Sequence, residues 1–227
     1  MFDTPDDFLP ERRPNNNIYL SIYEGKLCQR RATEMPGFTR YESISPKTRG
    51  KVTYIREFDH IKGLIVGFER REKETLEGLK YVVIQVTFTD GRGHKAILEV
   101  PVRGEFVARF AKCVENMDLT RPVWMRAFLS RDGSTGVYFQ QEGAKVAQKY
   151  TKEQPNGLPE WKKDPITGDH DTRDYWAFLF KILADHAVPQ IARNRAVMEA
   201  LESDQGTMPQ EAETEAPPYT ADDDIPF

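Results

Sequence analysis

Two short runs carry the side chains best suited to holding a ligand. In the first, Val123, Trp124, Met125, Arg126, Ala127, Phe128 and Leu129 alternate as a strand does. With Val123, Met125, Ala127 and Leu129 turned to a core, Trp124, Arg126 and Phe128 share the opposite face. Two flat rings interleaved with a guanidinium suit stacked bases and the phosphates between them. The second run, Asp222, Asp223, Asp224, Ile225, Pro226 and Phe227, stands last in the chain. A terminal Phe joins an apolar ring to a carboxylate, which suits a hydrophobic pocket rimmed by Arg or Lys. Pro226 limits the freedom lost on docking, and the three aspartates add attraction to a basic ridge. A merely solubilising tail would explain the aspartates but not the Ile-Pro-Phe after them.

The same strand parity brings Tyr81 and Tyr138 to outer faces as further stacking candidates. Lys80, Arg70, Arg71, Lys73, Arg92 and Lys95 fall near strand ends or hairpin tips, where cations can track a phosphate backbone. Tyr54 and Arg56 are weaker candidates of the same kind. Signs of catalysis are lacking. Asp169, His170, Asp171 and Asp174 lack a second histidine at ligand spacing, and an Asp-rich helix start is explained by capping and the helix dipole. His60, His94 and His186 are isolated, Cys28 and Cys113 have no CxxC spacing, and there is no Gly-rich phosphate loop. No catalytic residue, metal or cofactor is therefore expected.

The elements that must position these residues are legible between Ile61 and Glu142. Strands are predicted over Gly63–Arg71, Leu79–Thr89 and His94–Val102, with Asp90-Gly91 as a hairpin turn. A helix then opens at Gly104 with Phe106, Val107, Phe110, Ala111 and Val114 on one face. Pro122–Arg131 and Gly136–Glu142 make the last two strands, around Asp132-Gly133. Three strands, a helix and two strands is the element order of the OB-fold, a small, partly open β-barrel that binds oligonucleotides on one face. The expected fold is thus mainly β, an OB-fold barrel spanning 18–142 with an N-terminal strand extension from Ile18 and over Arg49–Phe58. An irregular arm covers 1–17 and a basic connector 143–170. A helical region follows over 171–202, with Tyr175, Phe178, Leu179, Ile182 and Leu183 on one side and a break or kink at Pro189. That apolar side needs a partner, either the barrel or, in a homo-oligomer, a second copy of the chain. The remainder, 203–227, reads as a disordered acidic tail ending in the docking tip.

Charge follows the same division. The 227-residue chain has 32 Lys and Arg against 36 Asp and Glu, yet residues 202–227 hold eight acids and no Lys or Arg. Over 26–163 the balance is 26 basic to 17 acidic residues. A basic body with an acidic tail fits a nucleic-acid protein. Mean hydropathy is -0.63, no apolar run reaches the length of a membrane span, and the acidic, proline-broken start differs from a secretory signal. A cytoplasmic protein without a membrane partner is expected.

The tip resembles that of bacterial single-stranded DNA-binding proteins, which end in aspartates followed by Ile-Pro-Phe. With its N-terminal extension, post-barrel helices and short linker, the chain is most similar to the larger, diverged members encoded by bacteriophages. The resemblance implies sequence-nonspecific binding and protection of single-stranded DNA in DNA replication, recombination and repair, in the bacterial cytoplasm of a host or a phage-infected cell. It also implies recruitment, through Asp222 to Phe227, of proteins with a pocket for this tip, such as helicase, nuclease, primase or polymerase subunits. The alternative is an adaptor or inhibitor that displays the tip to occupy such pockets without binding DNA.

Overall fold

A computed structural model describes residues 17–43, 49–74, 78–163 and 168–205. The chain is mainly β, with one large sheet and a C-terminal helical region. Ten strands form the sheet: β1 (Asn17–Tyr23), β2 (Lys26–Arg31), β3 (Thr39–Glu42), β4 (Val52–Phe58), β5 (Ile61–Glu74), β6 (Lys80–Thr89), β7 (Lys95–Pro101), β8 (Val123–Leu129), β9 (Thr135–Gln141) and β10 (Ala144–Lys145). Their spatial order is β10, β9, β8, β5, β6, β7, β1, β2, β4, β3. A separate two-stranded pair joins β11 (Lys162–Lys163) to β12 (His170–Asp171).

The central meander β5–β6–β7 is antiparallel, and β8 lies on the other edge of β5 with β9 beyond it. Its alternation is the one read from the sequence. Ile84, Val86 and Phe88 are buried on β6, as are Ala96, Leu98 and Val100 on β7. The helix α1 (Glu105–Cys113) follows β7 and buries Phe106, Val107, Phe110 and Ala111, with Val114 just beyond its end. Phe110 stacks on Phe106 and Phe68 and meets Phe139 of β9 at 5.6 Å, so the helix closes the apolar interior at one end. Each such ring, fully buried, contributes about 1.5–3 kcal/mol.

The N-terminal extension is larger than the sequence reading allowed. It has four strands rather than two, and β1 pairs in parallel with β7, Asn17 to Ser21 lying beside Lys95 to Glu99. That pairing occupies the edge of β7 which a closing barrel strand would use, and the ten-stranded sheet runs open from β10 to β3. A two-residue turn, Glu24 and Gly25, joins β1 to β2 with both residues at positive φ (48° and 75°), the twist that a tight hairpin requires. Gly25 also presses on the end of β8: a Cβ there would lie 2.3 Å from the Leu129 amide nitrogen and 2.5 Å from the Phe128 carbonyl carbon.

The helical region packs on the sheet of its own chain. In α2 (Arg173–Ile182), Tyr175, Trp176, Leu179 and Ile182 enter the main core. The helix does not break at Pro189. A π-helical turn over Leu183–Ala187 leads directly into α3 (Val188–Gln205), and such a shift of register accommodates a proline that has no amide hydrogen to donate. α3 is fixed to the sheet by Asn194, a buried polar residue whose Nδ2 donates to the carbonyl oxygens of Ile65 (3.0 Å) and Leu119 (2.6 Å). Arg195 adds a bond from Nε to the Val66 carbonyl (3.0 Å) and an ion pair to Glu69. These contacts fall at the β-bulge between Ile65 and Gly67. α3 runs to Gln205, slightly past the expected end of the helical region.

The connector is tied down as well. Val146 and Tyr150 are buried, the Lys149 amide donates to the Lys112 carbonyl at 2.7 Å, and Lys149 Nζ and the Tyr150 hydroxyl both donate to the Glu115 carboxylate. Burial pushes the Glu115 carboxyl up, but these two hydrogen bonds outweigh it and hold it below the usual glutamate range. The arm over 1–16 lies outside the described residues.

Candidate nucleic-acid interface

The parity of β8 decides which side chains face out. Val123, Met125 and Ala127 are buried, while Trp124 is half-buried and Arg126 and Phe128 are exposed. Leu129, expected inward, is 54% exposed, because β8 ends there against the Gly25 turn and no longer covers the core. On β9, Val137 and Phe139 point inward and Tyr138 outward, directly opposite Arg126.

These side chains form one continuous surface. Trp124 lies 5.5 Å from Tyr138, centroid to centroid, and Tyr138 lies 6.0 Å from Phe128. The His60 ring adds a fourth member, 5.0 Å from Trp124. Across the strands, Lys62 of β5 stands beside Trp124, Trp124 beside Gln140, and Gln140 beside Lys145 of β10. The Lys145 ammonium comes 5.9 Å from the Tyr138 centroid. An aromatic row thus runs along β8 and β9 with Lys62, Arg126 and Lys145 set around it. Beside Lys145, a shallow depression is lined by Asn116, Asp118, Arg121 and Gln141.

Of the nine residues expected to contact DNA, four meet here: Trp124, Arg126, Phe128 and Tyr138. The other five lie elsewhere. Tyr81 is on the outer face of β6 and 45% exposed, but it stands beside Lys73 at the far end of β5. Lys80 is its neighbour in sequence, opposite Glu74. Arg70 and Arg71 form ion pairs with Glu72 and Glu69, and Lys95 with Glu202 of α3. Lys73 is similarly engaged by Glu99. On β5 the residues that α3 grips, Ile65 to Glu69, separate Lys62 from Arg71 and Lys73. Arg92 stays in the β6–β7 turn, its amide donating to Asp90 at 2.8 Å. Tyr54 and Arg56 belong to β4, away from the aromatic row.

Sequence reasoning passed over Lys62, His60 and Lys145. The signal for Lys62 was present, since starting β5 at Ile61 rather than Gly63 places Lys62 on the outer face. Lys145 was read only as part of a basic connector, because a two-residue strand such as β10 has no periodicity to detect.

The acidic cluster near α2 is internally neutralised. Arg173 makes a forked pair with Asp171 (3.0 and 2.7 Å), and Lys162 pairs with Asp174 at 3.1 Å. Asp171, just before the helix, also accepts the Arg173 amide at 3.0 Å and so satisfies its first free N–H. Among the described residues no group of three or more His, Cys, Asp or Glu side chains is placed to hold a metal ion, and no helix is long and apolar enough to cross a membrane. The tip residues Asp222, Asp223, Asp224, Ile225, Pro226 and Phe227 lie outside the described residues. No protein-family model, curated protein or solved structure matches the chain.

Proposed function

We propose that this chain binds single-stranded DNA without sequence preference on the outer face of β8 and β9, and recruits other proteins of DNA metabolism through Asp222 to Phe227. The observation that carries the reading is the continuous ring row Trp124, Tyr138 and Phe128, flanked by Lys62, Arg126 and Lys145 on neighbouring strands. Bases of any identity offer a flat face to such rings, each stack contributing about 1–3 kcal/mol, and the cations meet the phosphates between them. Stacking and phosphate contacts of this kind carry no base identity.

The element order and pairing support reading β5–β6–β7, α1 and β8–β9 as an OB-fold core, with β1 to β4 added at its β7 edge. In that reading the aromatic row lies on the fourth and fifth strands of the core, whereas OB-folds bind oligonucleotides chiefly on the face of the second and third. A phage or bacterial single-strand protection protein, acting in replication, recombination and repair in the cytoplasm, is the corresponding role. Titration with fluorescent oligo-dT at low salt is the direct test. Quenching of tryptophan with saturable binding, and weaker binding of duplex, is the expected result. Absence of binding would leave the adaptor carrying only the tip.

A further inference from the structure

The outer face of the N-terminal hairpin repeats, on different strands, the composition of the β8 face. On β1, Leu20 is buried, so Tyr19 and Tyr23 point away from the core, and Tyr19 is 53% exposed. On β2, Leu27 is buried and Arg30 is exposed; its guanidinium lies 4.6 Å from the centre of the Tyr23 ring. Tyr41 of β3 also meets Tyr23, edge to face at 6.0 Å with the two hydroxyls 2.9 Å apart. Tyr23, Arg30 and Tyr41 thus pack together on the sheet face that the exposed Tyr19 shares. Residues 17–58, which carry them, hold eight Lys and Arg against four Asp and Glu.

This surface adjoins the aromatic row. The Glu24–Gly25 turn, which directly follows Tyr23, lies against the backbone of Phe128 and Leu129 so closely that no side chain fits between them. Phe128, the last ring of the row, is therefore followed in space by the tip of the β1–β2 hairpin.

We propose that a single strand leaving the β8–β9 face at Phe128 continues over the Glu24–Gly25 turn onto the β1–β2 hairpin, where Tyr19 stacks a further base and Arg30, held against the Tyr23 ring, meets the phosphates. The proposal rests on the reading that the β8–β9 face binds single strands, and it sets the length of strand covered. Strand length separates the two surfaces, since one OB-fold covers about 4–16 nucleotides. A short oligo-dT of about 8 nucleotides fills the β8–β9 face alone, and one of about 20 reaches the hairpin.

The test compares both oligonucleotides by fluorescence anisotropy on the full chain. The variant combines Tyr19→Ala with Arg30→Gln, both exposed and outside the core, with circular dichroism to verify folding. The double variant is expected to bind the long oligonucleotide about tenfold more weakly and the short one as the wild type does. Arg30→Gln alone is expected to lower the log-log salt slope by about 0.7 on the long strand only. Tyr19→Phe, which keeps the ring, retains wild-type binding to both. Trp124→Ala weakens both lengths. If the folded double variant binds the long strand normally while Trp124→Ala still weakens both, the hairpin path is wrong and the β8–β9 site stands. Equal loss on both lengths also overturns the extension, since the hairpin would then belong to one short site. If the wild type binds neither length, both proposals fall.

Discussion

The Phe128 ring lies over Gly136, its cross-strand partner on β9, so closely that a Cβ at Gly136 would stand 2.3 Å from the ring's Cζ. The glycine leaves the space in which Phe128 reaches across the ladder toward Tyr138. Gly136→Ala is expected to push the exposed ring aside with a stability cost of about 1 kcal/mol or less, because the ring is free to turn into solvent. Single-strand affinity is expected to fall by about 1–3 kcal/mol, the contribution of one stacked base. Thermal melts and oligo-dT titrations of the same preparation separate the two quantities, and unchanged affinity would remove Phe128 from the interface.

Trp124 is only half-buried between His60 and Tyr138, so its loss is expected to spare the fold. Trp124→Ala is predicted to weaken oligonucleotide binding by about 1–3 kcal/mol with native circular dichroism. A variant that unfolds would make the ring structural.

Salt dependence counts the phosphates engaged. Four to six contacts give a log-log slope of roughly -3 to -4 for single strands, at about -0.7 per phosphate. Lys62→Gln, Arg126→Gln and Lys145→Gln are each expected to reduce the slope by about 0.7, whereas Arg71→Gln, already paired with Glu69, is expected to leave it unchanged. Equal effects from all four would place the strand elsewhere.

The tip is expected to act oppositely on the two activities. On the proposed reading, deleting Asp222 to Phe227 removes three negative charges that would compete with DNA for the basic face at high effective concentration. Single-strand affinity should stay the same or rise, most visibly at low salt. Phe227→Ala is expected to cost a helicase, nuclease or primase partner about 2 kcal/mol or more, read by pull-down and calorimetry. Loss of DNA binding on truncation, or unchanged partner affinity in Phe227→Ala, contradicts the assignment.

Glu115 links the connector to the turn after α1 and gives a pH signature. Its carboxyl is held below the usual glutamate value, so its stabilisation is present above about pH 4.3 and lost as pH falls through the lower folded value. Glu115→Gln is expected to cost roughly 1.5–3 kcal/mol at neutral pH, and the gap between variant and wild-type melts should close in acid. A gap independent of pH would assign the loss to packing.

The central elements were legible because their side chains alternate with the period of the structure they form. Val82 to Thr89 and Val123 to Phe128 read as strands from period two, and Phe106 to Val114 as a helix from its apolar stripe. β2 was missed because Lys26, Gln29, Arg30 and Arg31 leave it only Leu27 and Cys28 as buried residues. Its turn was hidden too, since Glu24-Gly25 does not carry the Asn-Gly or Asp-Gly signature of a tight hairpin. On β8 the grouping of Trp124, Arg126 and Phe128 was visible from parity alone, whereas the ion pair that engages Lys95 depends on a neighbour distant in sequence. Glu202, which meets Lys95, lies more than a hundred residues away.

The parallel pairing of β1 with β7 also orders the steps by which the chain assembles. Asn17 and Lys95 are seventy-eight residues apart in sequence, so β1 has no partner on β7 until the β5–β6–β7 meander is made. During synthesis the tyrosine-bearing hairpin leaves the ribosome before β7 does, and its edge strand waits unpaired in the interval. The polar, arginine-rich character of β2 gives that waiting hairpin a charge that opposes its pairing with other nascent chains.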